Sequence, residues 1–514
     1  MGYKSLKNGL MVALLVSACN DADLDKLNPN GGTPESYYST ADELTKGVNA
    51  IYGKAQSSQL TAREWFFLHD LRSDDVASGG GQLEGARNQV LTGSHLPTNS
   101  VLTDVWSGFY RTIHRANSVI DGSENTKDIS DELKARLIAE AKFLRAWAYS
   151  ELVTLWGDVP LYETTVKSLT ESQARTSADE VLQFIINDLT TIQPDLPLTY
   201  SGADLGRATR GAAQALLGRV YMERGLEFYD EAKVELDKVR TSGTYSLVDN
   251  YEDNFLEETD FNGESIFEIG FSNDGFNWDG DGNDYGNNEG NSRTQEYSAI
   301  GWRNLIPSNG LIAEYERAAN GFAKDDPRFS DNFYRIGDSF NNEGQVLTDA
   351  LVQGNLSTFG AGQEKISWKK YTSLYKNNAT FYTGPMNMRI IRYAEVLLNL
   401  AEIENELGNS ATAIGYLNEL RDRPSVTLPN YPIAGKFPVN SKDEVFKAIV
   451  HEKRVELAGE QHRNRDILRW RRQGKLTSEP ISYFQANKFE RLPIPQVEFA
   501  TNASLTNGDQ NPGY

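Results

Sequence analysis

Residues Ala212-Ala213-Gln214-Ala215-Leu216-Leu217-Gly218-Arg219-Val220-Tyr221 alternate small and large side chains at helical spacing. The pattern breaks near Gly225 and resumes through Ala232, Leu236 and Val239. A small residue once per turn lets two antiparallel helices approach closely, and a glycine at the break permits the backbone to reverse. The same order returns at Ala394, Leu397, Leu398, Ala401 and Ile403, breaks at Gly408, and continues with Ala413, Ile414, Leu417 and Leu420. Two such hairpins predict a mainly α fold.

The order small, large, Gly, Tyr, Gly, Ala, Leu resembles the tetratricopeptide repeat. Two copies are fewer than the roughly three such an array needs for stability, so helices at 130–156 and 441–470 are expected to complete the stack. A helical bundle without repeat geometry is the plainer alternative. Working outward, residues 101–120 place Val101, Val105, Phe109, Ile113, Ala116 and Ile120 on one helical face. Ser130 stands before Glu132-Leu133 as a helix start. Leu137, Ala141, Leu144, Ala148, Leu152 and Leu155 then follow until Gly157 and Pro160 end the helix.

Between the hairpins, residues 246–390 are rich in Gly, Asn, Asp and aromatics, with short β-like runs such as Ser265-Ile266-Phe267-Glu268-Ile269. Long loops inside compact domains tend to be functional or disordered, and disordered segments are poor in aromatics. This stretch therefore reads as an irregular insertion on a helical scaffold, carrying the ligand site. The expected division is a signal peptide at 1–18, a tether at 19–35, a helical scaffold at 36–245, the irregular region at 246–390, and helical hairpins with a closing segment at 391–514.

The formal net charge of −21 disfavours nucleic acid and anionic lipid as partners and makes a neutral ligand the better expectation. With Cys19 as the single cysteine, no internal disulfide can form. The five histidines form no HExxH-like motif, which gives zinc chemistry little support.

The N-terminus reads as an address. Lys4 and Lys7 precede the apolar run Leu10–Val16, which is too short for a membrane span of about 20 residues, and Ser17-Ala18 follow. Val16-Ser17-Ala18-Cys19 resembles the bacterial lipobox, in which the cysteine is lipidated and becomes the first residue; several acyl chains anchor a protein stably. Asn20-Asp21-Ala22-Asp23-Leu24-Asp25 and Asn28-Pro29-Asn30-Gly31-Gly32 then read as a polar tether.

Several blocks together resemble the SusD/RagB family. They are Trp106-Ser107-Gly108-Phe109-Tyr110 with Arg115-Ala116-Asn117; Glu140-Ala141-Lys142-Phe143-Leu144-Arg145-Ala146-Trp147 with Leu155-Trp156-Gly157-Asp158-Val159-Pro160; Ile391-Arg392-Tyr393-Ala394-Glu395; Glu452-Lys453-Arg454-Val455-Glu456-Leu457 with Asp466-Ile467-Leu468-Arg469-Trp470; and Leu492-Pro493-Ile494-Pro495-Gln496 with Gln510-Asn511-Pro512-Gly513-Tyr514. The resemblance implies a non-catalytic lipoprotein exposed at the outer-membrane surface. It would capture oligosaccharide or polysaccharide and pass it to a SusC-like TonB-dependent barrel. Trp147 and Trp156 read as packing residues, and Arg145 and Arg454 as partners of buried carboxylates or helix ends.

A sugar presents C–H groups on one face and hydroxyls around its edge, so its site needs exposed aromatic faces flanked by amides, carboxylates or Arg. Trp278 and Tyr285, and Tyr297, Trp302, Arg303 and Asn304, stand among glycines and polar residues outside any helical stripe. Trp368, with Tyr371, Tyr375, Phe381 and Tyr382, forms a second cluster; Trp368-Lys369-Lys370-Tyr371 alternates like a strand, which places one of its aromatics in a core. The resemblance also implies that a loop after an early helix lines the site. Here that loop is Arg72-Ser73-Asp74-Asp75 with Gly79-Gly80-Gly81-Gln82, where Asp74 would bind hydroxyls or cap a helix end.

Asp279, Asp281, Asn283 and Asp284 raise calcium as a cofactor, but the EF-hand pattern fails, with Asp284 at its glycine position and Gly290 at its final glutamate. Two other functions fit a helical chain with an irregular insertion. A glycoside hydrolase needs two carboxylates about 5–5.5 or 6.5–9.5 Å apart, and the many acids here single out no pair. A helical scaffold that recruits protein would lack a sugar site.

Overall fold

A computed structural model describes residues 37–79, 83–272, 290–354, 364–376 and 383–514. About half the chain is helical. The scaffold helices are α1 (Ala41–Ala55), α2 (Glu64–Leu71), α3 (Ser100–Gly122), α4 (Asp131–Trp156), α5 (Ala178–Ile192), α6 (Arg210–Arg224), α7 (Tyr229–Thr241), α8 (Tyr393–Glu406), α9 (Ser410–Arg421), α10 (Lys442–Glu456) and α11 (Arg463–Arg472). They pack in a running series: α1 on α3, α3 on α4, α4 on α5, α5 on α6, α6 on α7, α7 on α8, and α8 on both α9 and α10. The hairpins α6–α7 and α8–α9 are therefore neighbours in one tetratricopeptide-like array, although about 150 residues separate them. The segment 441–470, expected as one piece, is two helices separated at Leu457–His462.

Local chemistry sets the helix ends. The Ser130 hydroxyl accepts from the Leu133 amide, and Gly157 ends α4 in a positive-φ conformation. Gly225 and Gly408, at the two hairpin breaks, also have positive φ. Gly218 gives the close approach that the small-residue pattern predicts: a Cβ there would sit 2.6 Å from the Leu236 side chain of α7.

Helix α4 is buried along most of its length, so its polar side chains need internal partners. Arg145 donates to both oxygens of Asp188 at 2.9 and 3.0 Å. Glu151 accepts from Trp65 and pairs with His69 and Arg465. Trp147 and Trp156 are fully buried, and the Trp156 indole donates to the Pro493 carbonyl. Asn511 donates to the carbonyls of Trp156 and Leu492, which binds the closing segment to the end of α4.

Among the described residues of 246–390, structure comes in short pieces. Strands β1 (Val76–Ser78), β2 (Ser265–Ile269), β3 (Leu305–Pro307), β4 (Phe333–Tyr334), β5 (Ser367–Trp368) and β6 (Met388–Arg392) form antiparallel pairs β1–β3, β2–β6 and β4–β5. A chain of buried ion pairs ties this region to the scaffold. Arg392 of β6 reaches Glu264 at 2.6 Å, Glu456 at 2.8 Å and Glu460 at 2.7 Å. Arg423 bridges Glu264 and Glu456, and Arg328 joins Glu456 to Glu452 and Asp326. Arg421 continues from Glu452 to Glu316, and Lys370 holds Glu460 at 2.6 Å. Burial alone would raise the Glu456 carboxyl, but Arg423, Arg392 and Arg328 hold it far below the usual carboxylate range.

Candidate functional site

A short helix, Arg293–Tyr297, turns tightly back on itself and presents Trp302. The Trp302 amide donates to the Gln295 carbonyl at 2.6 Å, and the Asn304 amide to the Glu296 carbonyl at 2.7 Å. Gly301 makes the turn possible, since a Cβ there would lie 2.5 Å from the Gln295 carbonyl oxygen. Trp302 is half-buried.

Pairing of β1 with β3 lays the loop after α2 beside this turn. Val76 is opposite Pro307, Ser78 is opposite Leu305, and the Gly79 amide donates to the Asn304 carbonyl at 2.9 Å. A Cβ on Gly79 would run into the Arg303 carbonyl, and one on Gly354 into the Gly79 carbonyl. Three chain segments thus meet beside Trp302 at two glycines. Gly354 also has φ of 74°. Gly354→Ala is expected to lower stability by about 1–2 kcal/mol, from strain at positive φ plus displacement of the Gly79 backbone, as read by the urea midpoint.

The side chains next to Trp302 support the loop and do not face outward, which corrects several sequence expectations. Arg303 is fully buried at φ 50°, donating to Ser367 Oγ and the Ile366 carbonyl, both at 2.8 Å. Burial pushes its guanidinium down to about 10. Asn304 is buried and donates to Glu296, whose other oxygen accepts from Arg63 at 2.6 Å. Tyr297 is a core residue: its hydroxyl donates to Asp70 at 2.9 Å and its ring lies under Arg293. Trp368 is likewise sealed, 5.1 Å from the Phe333 ring and against Gly459. The expected Trp368–Tyr371 alternation fails because β5 ends at Trp368, and both aromatics are buried.

Asp74 neither caps a helix nor offers free oxygens. Arg463 donates to its two oxygens at 2.7 and 3.1 Å, and Arg454 lies 2.9 Å away. Burial would raise Asp74, but these guanidinia hold it below the ordinary value; burial raises its neighbour Asp75 to about 6. Arg454 is thus a partner of carboxylates, as is Arg145. Trp278, Tyr285, Phe381, Tyr382 and the calcium candidates Asp279, Asp281 and Asn283 lie outside the described residues.

Glu316, His451 and Glu452 bring three ligand-type atoms within 4.8 Å of one another. Arg421 already stands between the two carboxylates, 2.7 Å from Glu316 and 2.5 Å from Glu452, so a guanidinium fills the place a metal ion would take. Sequence reading missed Gly354, Glu296 and Arg63 as supports of the Trp302 loop. Of these only Gly354 had a local signal, a glycine in a polar stretch.

A tetratricopeptide-like array carrying a face built from loops and short strand pairs defines the class: a helical-repeat scaffold protein. The profile described as "SusD family" matches residues 263–514, and that described as "Starch-binding associating with outer membrane" matches residues 25–222. The chain belongs to the SusD/RagB family. It is 29% identical to SusD-like protein P2 of Formosa agariphila, over 98% of each chain. It is 25% identical to SusD-like protein P25 of the same organism, over 94% of each. Among solved structures, a laminarin binding SusD-like protein superposes with a TM-score of 0.74 at 27% identity, covering 93% of this chain and all of the other. Surface glycan-binding protein A from Bacteroides thetaiotaomicron in complex with laminarihexaose shares the fold, with a TM-score of 0.70 at 20% identity over 92% of this chain and all of the other. The two solved structures are named for laminarin or glycan binding, and the profile matching residues 25–222 is described as starch-binding and associated with the outer membrane. No described helix is long and apolar enough to cross a membrane.

Proposed function

We propose that this chain is a non-catalytic, cell-surface lipoprotein that captures a neutral polysaccharide or oligosaccharide and passes it to a SusC-like TonB-dependent outer-membrane barrel. Cys19 carries the lipid anchor. Trp302 is a stacking platform, with Trp278 and Tyr285 as further platforms and Arg303 and Asn304 as the residues that fix its loop. The carrying observation is the half-buried indole on a glycine turn whose neighbours are all committed to internal partners. A ring carried on a backbone fixed in this way needs little loop ordering on stacking. A β-glucan is the favoured ligand, supported by the laminarin-binding relative and the acidic surface.

A glycan array followed by isothermal titration with laminarin tests the reading. Trp302→Ala, with an unchanged melting curve, is expected to weaken the wild-type interaction roughly tenfold. Unchanged affinity in that variant would defeat the platform role, and no glycan bound by the wild-type protein would defeat the function. Sustained release of shortened products from a glycan panel would instead favour a hydrolase.

A further inference from the structure

We propose a second carbohydrate-binding site, for a neutral hydroxylated ligand, in the groove between the C-terminal turn of α1, the Gly202–Arg207 loop and residues 260–271 around β2. The groove has a volume of about 580 Å³ and continues past Arg207 and Phe261 into a second hollow of about 190 Å³. That size suits a small ligand. None of its lining residues belongs to the Trp302 loop or to the segments packed against that loop.

Three observations carry the proposal. First, the groove is lined by apolar and aromatic side chains that the core leaves partly exposed. Leu205 and Leu198 are 49% and 53% exposed, and Tyr52, Tyr200, Phe261 and Phe271 are half-buried. Such surfaces accept the C–H face of a sugar.

Second, Phe261 sits between the two hollows at φ 56°, a conformation that a bulky residue adopts only under constraint. Gly206 makes room for it, since a Cβ there would lie 2.8 Å from the ring. The strained backbone thus holds an aromatic ring at the centre of the groove.

Third, a buried carboxylate faces the groove with one oxygen loosely held. Glu268 is 3% exposed, accepts from the Phe261 amide and is approached by the side chains of Ser265 and Asn387, whereas Oε2 closes no hydrogen bond of ordinary geometry among the described residues. Its nearest cation, Arg389, stands 3.6 Å away, and the same guanidinium approaches Asp260 only at 3.4 Å. The Arg392 contacts described above close to 2.6–2.8 Å, so this looser set is local and leaves acceptor capacity for an O–H donor. Burial, then the charge of Glu268, raises the Asp260 carboxyl to about 8. Held protonated at neutral pH, it adds no second negative charge, which favours hydroxyls over a metal cation.

The site rests on the glycan-binding reading only in the choice of probes. Full-length wild type, Trp302→Ala, Phe261→Gly and the double variant are titrated with laminarihexaose, maltohexaose and cellohexaose. Phe261→Gly removes the ring and relieves the positive φ, so the fold is retained; a melting curve at or above wild type checks this. The expected result is that Trp302→Ala keeps a saturable event with at least one hexasaccharide, and that adding Phe261→Gly weakens it roughly tenfold or more. That hexasaccharide should also slow amide exchange in 203–207 and 260–271. The proposal is overturned if Trp302→Ala abolishes all binding, if the residual event ignores Phe261→Gly, if those amides stay unprotected, or if the wild-type protein binds none of the three. Binding sensitive to Phe261→Gly and indifferent to Trp302→Ala would uphold this groove while removing the Trp302 platform.

Discussion

Glu456→Ala is expected to destabilise the protein by about 3–5 kcal/mol, lowering the urea midpoint with little change in slope. Glu456 is fully buried and faces Arg328, Arg392 and Arg423 at 2.8–3.0 Å. Removing it leaves three guanidinia in a dry interior, with Glu264, Glu452, Glu460 and Asp326 as the remaining counter-charges. A charge stripped of its partner inside a protein costs more than the pair contributed, because it can recover neither water nor a carboxylate. Glu456→Gln retains the volume and one acceptor and should cost less. Equal losses in the two variants would mean that packing, and not charge, sets the effect.

A loss of stability with rising pH should follow from His451. Its ring is buried, with Nδ1 2.7 Å from Glu314 and Nε2 3.5 Å from Glu316. Burial alone would lower its pKa, but hydrogen bonds that the ring donates to Glu314 and Glu316 and the charge of Glu452 raise it to about 9. Arg421, Arg328 and Arg454 also approach these carboxylates and are positive throughout the relevant range. Because the folded pKa lies above the unfolded one, near 6.5, the contribution is complete below pH 6.5 and disappears as pH climbs through 9.

The slope should amount to about 1.5–2 kcal/mol between pH 6.5 and 8, approaching ~3 kcal/mol at higher pH. Asp260, raised to about 8, loses stability in the same window with the same sign, and above pH 8 the buried Lys370, lowered to about 8, acts with the opposite sign, so the difference between wild type and a His451 variant isolates the histidine. His69 and His95, both pushed down to about 4, matter only below pH 6.5. Urea titrations of wild type and His451→Gln at several pH values test this. The difference between the two should shrink steadily from pH 6.5 to 8, and a constant difference would refute it.

The helices were legible because their signals are local. Val101, Val105, Phe109, Ile113 and Ala116 are buried along α3, and Ser130 and Gly157 bound α4 as their chemistry requires. The candidate site was less legible. Tyr297 and Trp368 stand in polar, glycine-bearing sequence, which suggested exposure, yet both are core residues. The polar residues around them are not a solvated surface. Arg293, Lys370 and Arg303 are themselves internal, paired with Asp70, Glu460 and backbone carbonyls. No local pattern reveals that Glu264 belongs with Arg392, Arg423 and, through them, Glu456, so a polar core reads as a loop. Trp302 stays half-buried on a turn that Gly301 permits, and its neighbouring glycine was the usable sign.

The ionic chain also dictates an order of assembly. Glu264, Glu316, Asp326 and Arg328 lie in the third quarter of the chain and emerge before Arg392, Arg421, Arg423, Glu452 and Glu456, which come from the last quarter. Until that last quarter arrives, Arg328 has only Asp326 beside it and Glu264 and Glu316 lack their arginines, so the cost of closing such distant contacts falls at the end of folding. The middle segments are thus the final part to set, and a chain interrupted before α10 would carry the first scaffold helices and an unfastened middle region.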